Sequence, residues 1–276
     1  MTRLFFIGDI VGKPGRELVR RGLRALVAHH DIHLVIANVE NAAAGFGVTP
    51  EIADDLMSYG VHVMTGGNHT WDKKEIIPYF ADQPRLLRPA NLPPGAPGRG
   101  IYVARATNGV PVAVVNVMGR VFMTAIDDPF RVVMDEIDAV QTEARLVFVD
   151  FHAEATSEKV AMGWHLDGRA TAVVGTHTHV QTADERVLPK GTAYITDVGM
   201  TGPHDSVIGV ERAAILQRFL TAMPQRFETA TENPRLSGVL VTADEMSRRA
   251  ISIERVSLSA QQIEDLAALP SVSNVR

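Results

Sequence analysis

The segment Arg3–Asp9 reads RLFFIGD, in which an apolar run of strand length is followed at once by glycine and aspartate. The same order recurs further along the chain, where the apolar segments His33–Asn38 (HLVIAN) and Val61–Thr65 (VHVMT) also lead into polar residues. Runs of about four to eight apolar residues bounded by glycine or polar residues are typical of buried strands. We therefore interpret these three segments as strands of a sheet.

Helical signals separate these strands. Pro14-Gly15 opens one helical segment, and proline is tolerated at the first position of a helix because its missing N–H would be unpaired there. Thr49-Pro50 predicts a capping residue followed by a first-turn proline, and Gly60 can end that helix. The alternation of strands and helices favours a sheet with helices packed on it.

The second half of the chain adds further strands. Asn108-Gly109 lies between apolar segments and predicts a β-hairpin, since this pair tolerates positive φ. More strands are predicted at the following segments, the last three of them antiparallel: Leu146–Phe151, Ala172–Gly175, Thr192–Thr196, Leu236–Val241 and Ala250–Val256. Because no linker, repeat or low-complexity tract interrupts the pattern, we expect a single α+β domain over residues 1–276, with two packed sheets.

The composition narrows the class of ligand. The 276 residues are 46% hydrophobic, carry a formal net charge of −5 and contain no cysteine. Since there is no run of basic residues, we expect a nucleotide-sized anion rather than a long nucleic acid as partner. Any metal ion must bind through histidine, carboxylate or amide oxygen. The sequence shows no signal peptide and no apolar stretch of membrane-spanning length, so we expect no membrane partner and a cytoplasmic location.

Residues with metal-binding atoms follow five of the predicted strands. They are Asp9, Glu40, Asn41, Asn68, His69, His152, His177 and His179. Ligand sites of open α/β sheets lie beyond the carboxyl ends of the strands, so these side chains can converge at one edge. His177 and His179 alternate with Thr178 in an extended segment and can therefore point the same way. Together the five clusters predict a metal centre.

Each residue alone has a simpler interpretation. An aspartate after a strand is typical of a turn or a helix cap, and an isolated His-x-His pair is typical of a surface or core position. Caps and turns do not explain five such clusters together. For Asp72 two interpretations stay open, because it can orient His69 or cap the following helix. Glu154 and Thr178 are candidates for supporting the metal ligands.

Several motifs together resemble one known family. GDIVGKPGR, NVENAAAGFG, GGNHTWDKKE, LLRPANLP, DFHAEATSEK, GTHTHVQTAD and KGTAYITDVGMTGP resemble the YmdB-type branch of the calcineurin-like metallophosphoesterases. The resemblance covers most of the chain and is least specific near its end. It implies an αββα sandwich, in which two packed mixed sheets are flanked by helices. It also implies hydrolysis of small phosphodiesters, above all 2′,3′-cyclic nucleotides, and assembly into a homo-oligomer.

The resemblance also implies how two metal ions would be held. Ordinary members of the superfamily begin with an Asp-x-His pair, whereas Ile10 and Val11 follow Asp9 here. The ligand sets that the resemblance implies share Glu40: Asp9, Glu40, Asn41 and His179 for the first ion, and Glu40, Asn68, His152 and His177 for the second. Nitrogen and oxygen ligands favour two divalent or trivalent ions of Fe or Mn, with Zn as an alternative. Two ions about 3.5–4 Å apart can clamp a phosphoryl group and generate a bridging hydroxide.

His69 stands beside Asn68 and resembles the histidine that acts as the acid in this superfamily. We expect it to protonate the leaving oxygen or to stabilise charge on the phosphate, a role that contributes about 10²–10⁴-fold in rate. The alternative is that His69 is a further metal ligand.

Three other functions compete with a phosphodiesterase. A metal-dependent amidohydrolase would place its His-x-His pair at the first strand, whereas the HTH motif comes late in this chain. A phosphomonoesterase would use a similar metal site. A regulatory or scaffold protein that folds around metal ions would hydrolyse phosphoesters only incidentally.

Overall fold

The structure is a computed structural model that describes residues 1–268, and residues 269–276 of the predicted domain lie outside this range. The strands are β1 (Thr2–Ile7), β2 (Leu34–Asn38), β3 (Val63–Thr65), β4 (Ile101–Arg105), β5 (Pro111–Met118), β6 (Leu146–His152), β7 (Ala172–Thr176), β8 (Arg186–Val187), β9 (Ala193–Ile195), β10 (Gly202–Pro203), β11 (Pro234–Asp244) and β12 (Arg249–Ser259). The helices are α1 (Gly12–His30), α2 (Pro50–Tyr59), α3 (Ile76–Asp82), α4 (Pro129–Val140), α5 (Thr156–His165), α6 (Arg212–Thr221) and α7 (Ala260–Ala268).

The strands form two mixed sheets of six strands each. In the first sheet the order is β10-β11-β1-β2-β3, with β12 also paired to β11, and in the second it is β4-β5-β6-β7-β9-β8. Apolar side chains from both sheets pack against each other in a shared core, where the rings of Phe6 and Phe148 stack with centroids 5.5 Å apart. Helices α1, α2 and α7 contribute to a core on the outer side of the first sheet, and α4 and α5 to one on the second. The predicted αββα sandwich is confirmed.

Local sequence signals account for several element ends. The Thr49 side chain accepts a hydrogen bond from the backbone N–H of Ile52 and so caps α2, while Gly60 ends that helix with φ of 115°. Asn108 and Gly109 connect β4 and β5, which pair antiparallel, and Gly109 has φ of 86°. The cap, the helix end and the hairpin thus lie at the positions that the sequence predicts.

One expectation needs correction, and one helix was not predicted. The strand predicted within Thr192–Thr196 is β9, and it pairs parallel with β7, with an antiparallel partner only in the short β8. Helix α5 has no counterpart in the sequence prediction. The buried positions of α5 include the charged residues Glu158 and Lys159, and these obscure the apolar periodicity that would otherwise indicate a helix.

The parallel strands determine where the functional residues meet. In the first sheet β1, β2 and β3 run parallel, and in the second β5, β6 and β7 do so. The segments that follow β1, β2, β3, β6 and β7 carry the polar clusters, so these clusters lie at the carboxyl ends of the strands. Across residues 1–268, none of the helices is long and apolar enough to cross a membrane.

Candidate metal centre

The structure brings the predicted site residues together in one connected group. Asp9, Glu40 and His152 are at most 1% exposed. Direct contacts link each predicted residue to at least one other: Asp9 to His177 and His179, Asn41 to His179, Glu40 to His69 and His152, and Asn68 and His177 to His152. Strands from both sheets therefore contribute to the same site.

Three potential ligand atoms surround Nε2 of His152. Oε1 of Glu40 and Oδ1 of Asn68 each lie 3.0 Å from this nitrogen, and Nδ1 of His177 lies 3.1 Å from it. Glu40, His152 and His177 form a compact cluster that could hold a metal ion.

The hydrogen bonds around this cluster place one ring N–H of each histidine on its outer side. Thr176 Oγ1 donates to Oδ1 of Asp150 at 2.8 Å and therefore accepts from Nδ1–H of His152 at 2.9 Å. On the opposite side, Nε2 of His177 lies 3.0 Å from Oε2 of Glu154, which accepts its proton. His177 thus directs an unprotonated nitrogen into the cluster, and His152 directs Nε2 there, where a cation can take the place of its proton. These two nitrogens meet a carboxylate oxygen and an amide oxygen.

Such an arrangement of acceptors fits a cation. Four potential ligand atoms face one another, and one proton on Nε2 of His152 cannot satisfy the other three. Unless Nε2 of His152 is protonated, the buried Oε1 of Glu40 has no hydrogen-bond donor among residues 1–268. A metal ion would satisfy this oxygen and the two imidazole nitrogens together.

The electrostatics of the metal-free site lead to the same conclusion. Burial acts to raise the pKa of Glu40, but the charge and hydrogen bond of His152 outweigh it and lower the pKa to about 2. Burial acts to lower the pKa of His152, but the charge of Glu40 outweighs it and raises the pKa to about 9. Burial and the charge of His152 lower the pKa of His177 to about 3. One positive charge is therefore favoured between Glu40 and His152, and a cation that binds there replaces the proton.

A second set of ligand atoms surrounds His179. Nδ1–H of this ring donates to the carbonyl oxygen of Ile208 at 2.8 Å, so Nε2 carries the lone pair. Nε2 faces Oδ1 of Asp9 at 3.7 Å and accepts from the Asn41 amide at 3.1 Å. Oδ1 of Asp9 is buried and unpaired within the described part of the chain. Rotation of the Asn41 amide by half a turn would present its oxygen at the same point.

A glycine is required where the third strand ends. A Cβ atom added to Gly67 would collide with the ring of His152 and with the carboxylate of Glu40. The segment that carries Asn68 and His69 can approach the cluster only because this position has no side chain.

His69 lies at the rim of this centre. Its backbone N–H donates to Oε2 of Glu40 at 2.9 Å, and its ring packs edge-to-face against Phe46 with centroids 5.0 Å apart. Nδ1 lies 2.8 Å from Oδ2 of Asp72. Helix α3 begins at Ile76 with Glu75 as its capping residue, so Asp72 orients His69 and does not cap that helix.

A cavity of about 120 Å³ lies beside the cluster. Its polar lining includes Glu40, His69 and His179. Apolar side chains from four separate segments also line it: Val11, Ala44, Phe46, Ile208, Val210 and Phe227.

Sequence reasoning missed a layer of polar residues beneath the centre. Asp150 is fully buried, accepts hydrogen bonds from Thr65 and Thr176, and has its pKa raised to about 7 by burial. An acid in the apolar strand LVFVDFH, two positions before His152 and hence on the same side of the strand, was a signal for this role. Asp197, which follows β9, carried a similar signal.

Comparison with known proteins identifies the family. Residues 5–256 match the model of the YmdB-like protein family. A 2′,3′-cyclic-nucleotide 2′-phosphodiesterase of Bacillus subtilis (strain 168) is 51% identical over 257 residues, which cover 93% of this chain and 97% of the relative.

Two solved structures are similar throughout. A hypothetical protein from Thermus thermophilus has a TM-score of 0.86 and 42% identity, covering 94% of this chain and 99% of that one. A Mycoplasma pneumoniae protein described as a novel phosphatase has a TM-score of 0.88 and 33% identity, covering 95% and 96%. The chain belongs to the YmdB-like family and is a hydrolase of the phosphodiesterase class.

Proposed function

We propose that this phosphodiesterase hydrolyses 2′,3′-cyclic nucleotides at a centre of two metal ions. The observation that carries the proposal is the convergence of ligand atoms from Glu40, Asn68 and His177 around Nε2 of the fully buried His152. Iron or manganese suits this set of nitrogen and oxygen ligands, and zinc is the alternative.

The proposed ligand sets follow the two groups of contacts. His152, His177 and Asn68 would hold one ion, and Asp9, Asn41 and His179 would hold the other. Glu40 would bridge them, since its carboxylate contacts His152 and lines the same cavity as Asn41 and His179. When bound, two such ions polarise the phosphoryl oxygens and lower the pKa of a water molecule.

The protein's own residues supply the remaining steps. Asp72 holds Nδ1 of His69, which fixes the ring and leaves Nε2 as the atom that can deliver a proton at the cavity. In a 2′,3′-cyclic nucleotide the leaving oxygen stays attached to the ribose, so a single fixed acid can protonate it. His69 is therefore proposed as the general acid.

The apolar wall of the cavity favours a nucleotide over a bare phosphodiester. Phe46 and Phe227 line the same cavity as the metal ligands, and aromatic rings bind nucleobases by stacking. A phosphate beside the polar lining residues can thus be accompanied by a base beside the aromatic ones. The Bacillus subtilis relative is named for action on such nucleotides, which supports the same substrate class.

A panel of substrates on metal-loaded protein tests this function. We expect kcat/KM to be highest for 2′,3′-cAMP, lower for glycerol 1,2-cyclic phosphate, which lacks a base, and lowest for p-nitrophenyl phosphate. A preference for the monoester would refute the proposed substrate class. Slow turnover on every ester, together with an unimpaired phenotype of a His69 variant in cells, would favour a regulatory role instead.

The organisation of the protein in the cell is part of the same proposal. The family resemblance leads us to propose a homo-oligomer, which light scattering of the purified protein tests. We also propose that the two sheets unfold as one domain, because they share a continuous core. A cytoplasmic location is tested by fractionation of cells.

A further inference from the structure

A fully buried ion pair contacts the segment that carries His177 and His179. Nζ of Lys159, on α5, is 2.6 Å from Oδ2 of Asp197, and both side chains are 1% exposed. Burying two charges is unfavourable unless the geometry is good, and an apolar pair of similar volume is often as stable. Stability alone therefore does not account for this pair.

Asp197 binds the segment that carries the two histidines. Its Oδ2 accepts from the backbone N–H of Thr178 at 3.1 Å and from Oγ1 of Thr178 at 2.7 Å. Its Oδ1 accepts from the backbone N–H of Gly199 at 2.8 Å. Thr178 lies between His177 and His179, so a single carboxylate holds the residue that joins these two side chains.

Both histidines have an unfavourable backbone conformation. His177 has φ of 99° and His179 has φ of 65°, in the region that residues with a Cβ atom rarely adopt. Each such residue costs about 1–3 kcal/mol and persists only when its surroundings enforce it. Thr178 lies between these two residues, and its hydrogen bonds to Asp197 can hold the backbone of both histidines in this conformation.

We propose that Lys159, Asp197 and Thr178 act as a positioning unit that holds His177 and His179 in the geometry needed to bind metal. None of the three contacts the ions or the substrate in the proposed arrangement. Nζ of Lys159 donates to Oδ2 of Asp197 and holds the carboxylate where it accepts from Thr178. The proposal rests on the metal centre proposed above.

Thr178 offers the sharpest test because two variants differ in a single group. Thr178→Val removes the hydroxyl and keeps the shape and the backbone N–H, whereas Thr178→Ser keeps the hydroxyl. Thr242→Val is a matched control, since Thr242 pairs with Arg3 near the start of β1, at the opposite edge of the sheet. The measurements are Mn²⁺ titration calorimetry on the full chain, the melting temperature in EDTA, and kcat and KM at saturating Mn²⁺.

We expect Thr178→Val to weaken Mn²⁺ binding about tenfold, as expected for loss of a hydrogen bond to a charged group. Thr178→Ser should restore binding to within about twofold of the unmodified protein, and KM should be unchanged in both variants at saturating metal. The Thr242→Val control should bind Mn²⁺ like the unmodified protein.

Two results would overturn the positioning role. In the first, Thr178→Val binds Mn²⁺ as tightly as the unmodified protein. In the second, the valine and serine variants lose equal metal affinity together with melting temperature in EDTA, which would indicate a purely structural role. An unmodified protein that binds none of Mn²⁺, Fe²⁺ and Zn²⁺ would instead refute the metal centre, and the positioning role with it.

Discussion

Replacement of Lys159 by methionine should destabilise the protein well beyond the effect of an ordinary lysine substitution. The substitution leaves the Asp197 carboxylate buried without the ammonium group that lies 2.6 Å away. Breaking a buried ion pair from one side costs about 3–5 kcal/mol. Because Thr178 and Gly199 still donate to the carboxylate, we expect about 3 kcal/mol, at the lower end of that range.

The assay is thermal and urea unfolding in EDTA, which separates the ion pair from stabilisation by bound metal. A loss of about 3 kcal/mol corresponds to a fall in melting temperature of about 6–12 °C, at about 2–4 °C per kcal/mol. Lys159→Met/Asp197→Asn removes both charges and should recover part of the loss, so that the two substitutions are not additive. A loss below about 1 kcal/mol, as for an exposed pair, or strict additivity in the double variant would refute this reasoning.

Further predictions follow from the centre itself. Gly67→Ala should abolish metal binding, because the new methyl group would collide with the side chains of His152 and Glu40. Gly95→Ala is the control and should leave the metal content unchanged, since nothing lies within 4 Å of a Cβ atom at that position. Atomic absorption of the purified variants measures the metal content. His69→Ala should keep its metal content and lose about 10²–10⁴-fold in kcat, whereas His177→Ala should lose metal. Equal loss of metal in the two variants would show that His69 is a metal ligand. Phe227→Ala should raise KM for 2′,3′-cAMP about fivefold or more, as expected for loss of a stacking contact with the base. KM for glycerol 1,2-cyclic phosphate, which has no base, should stay unchanged. An equal rise of KM for both esters would exclude base stacking.

The site could be located from the sequence because its residues follow a simple rule of position. Five of the predicted strands are followed by an acid, an amide or a histidine, and parallel strands place such ends at one edge. The motifs around Asn68 and His177 then identified the family that the comparison confirms. This rule does not predict which strands become neighbours in a sheet, because local sequence patterns contain no information on pairing. The pairing of β1 with β11, which are distant in the chain, is an example.

The residues that sequence reasoning missed share a physical cause. Asp150, Lys159 and Asp197 are buried and charged, and their partners lie far from them along the chain. Periodicity analysis assigns a charged residue to the solvent-facing side of a helix. Lys159 therefore obscured the buried face of α5, although its side chain belongs to that face. A buried acid or lysine is expected only where a partner satisfies it, and that partner becomes visible only in the folded chain.

The same reasoning explains why the polar layer beneath the centre belongs to the function. A fold of this size could fill the space behind His177 and His179 with apolar side chains at no loss of stability. It instead holds Asp197 there, bonded to the residue between two histidines whose backbone φ values are positive. Apolar packing has no direction, whereas a carboxylate that accepts two hydrogen bonds from one residue fixes its orientation. Orientation is the property that a metal ligand requires, and we infer that the buried charges are there to supply it.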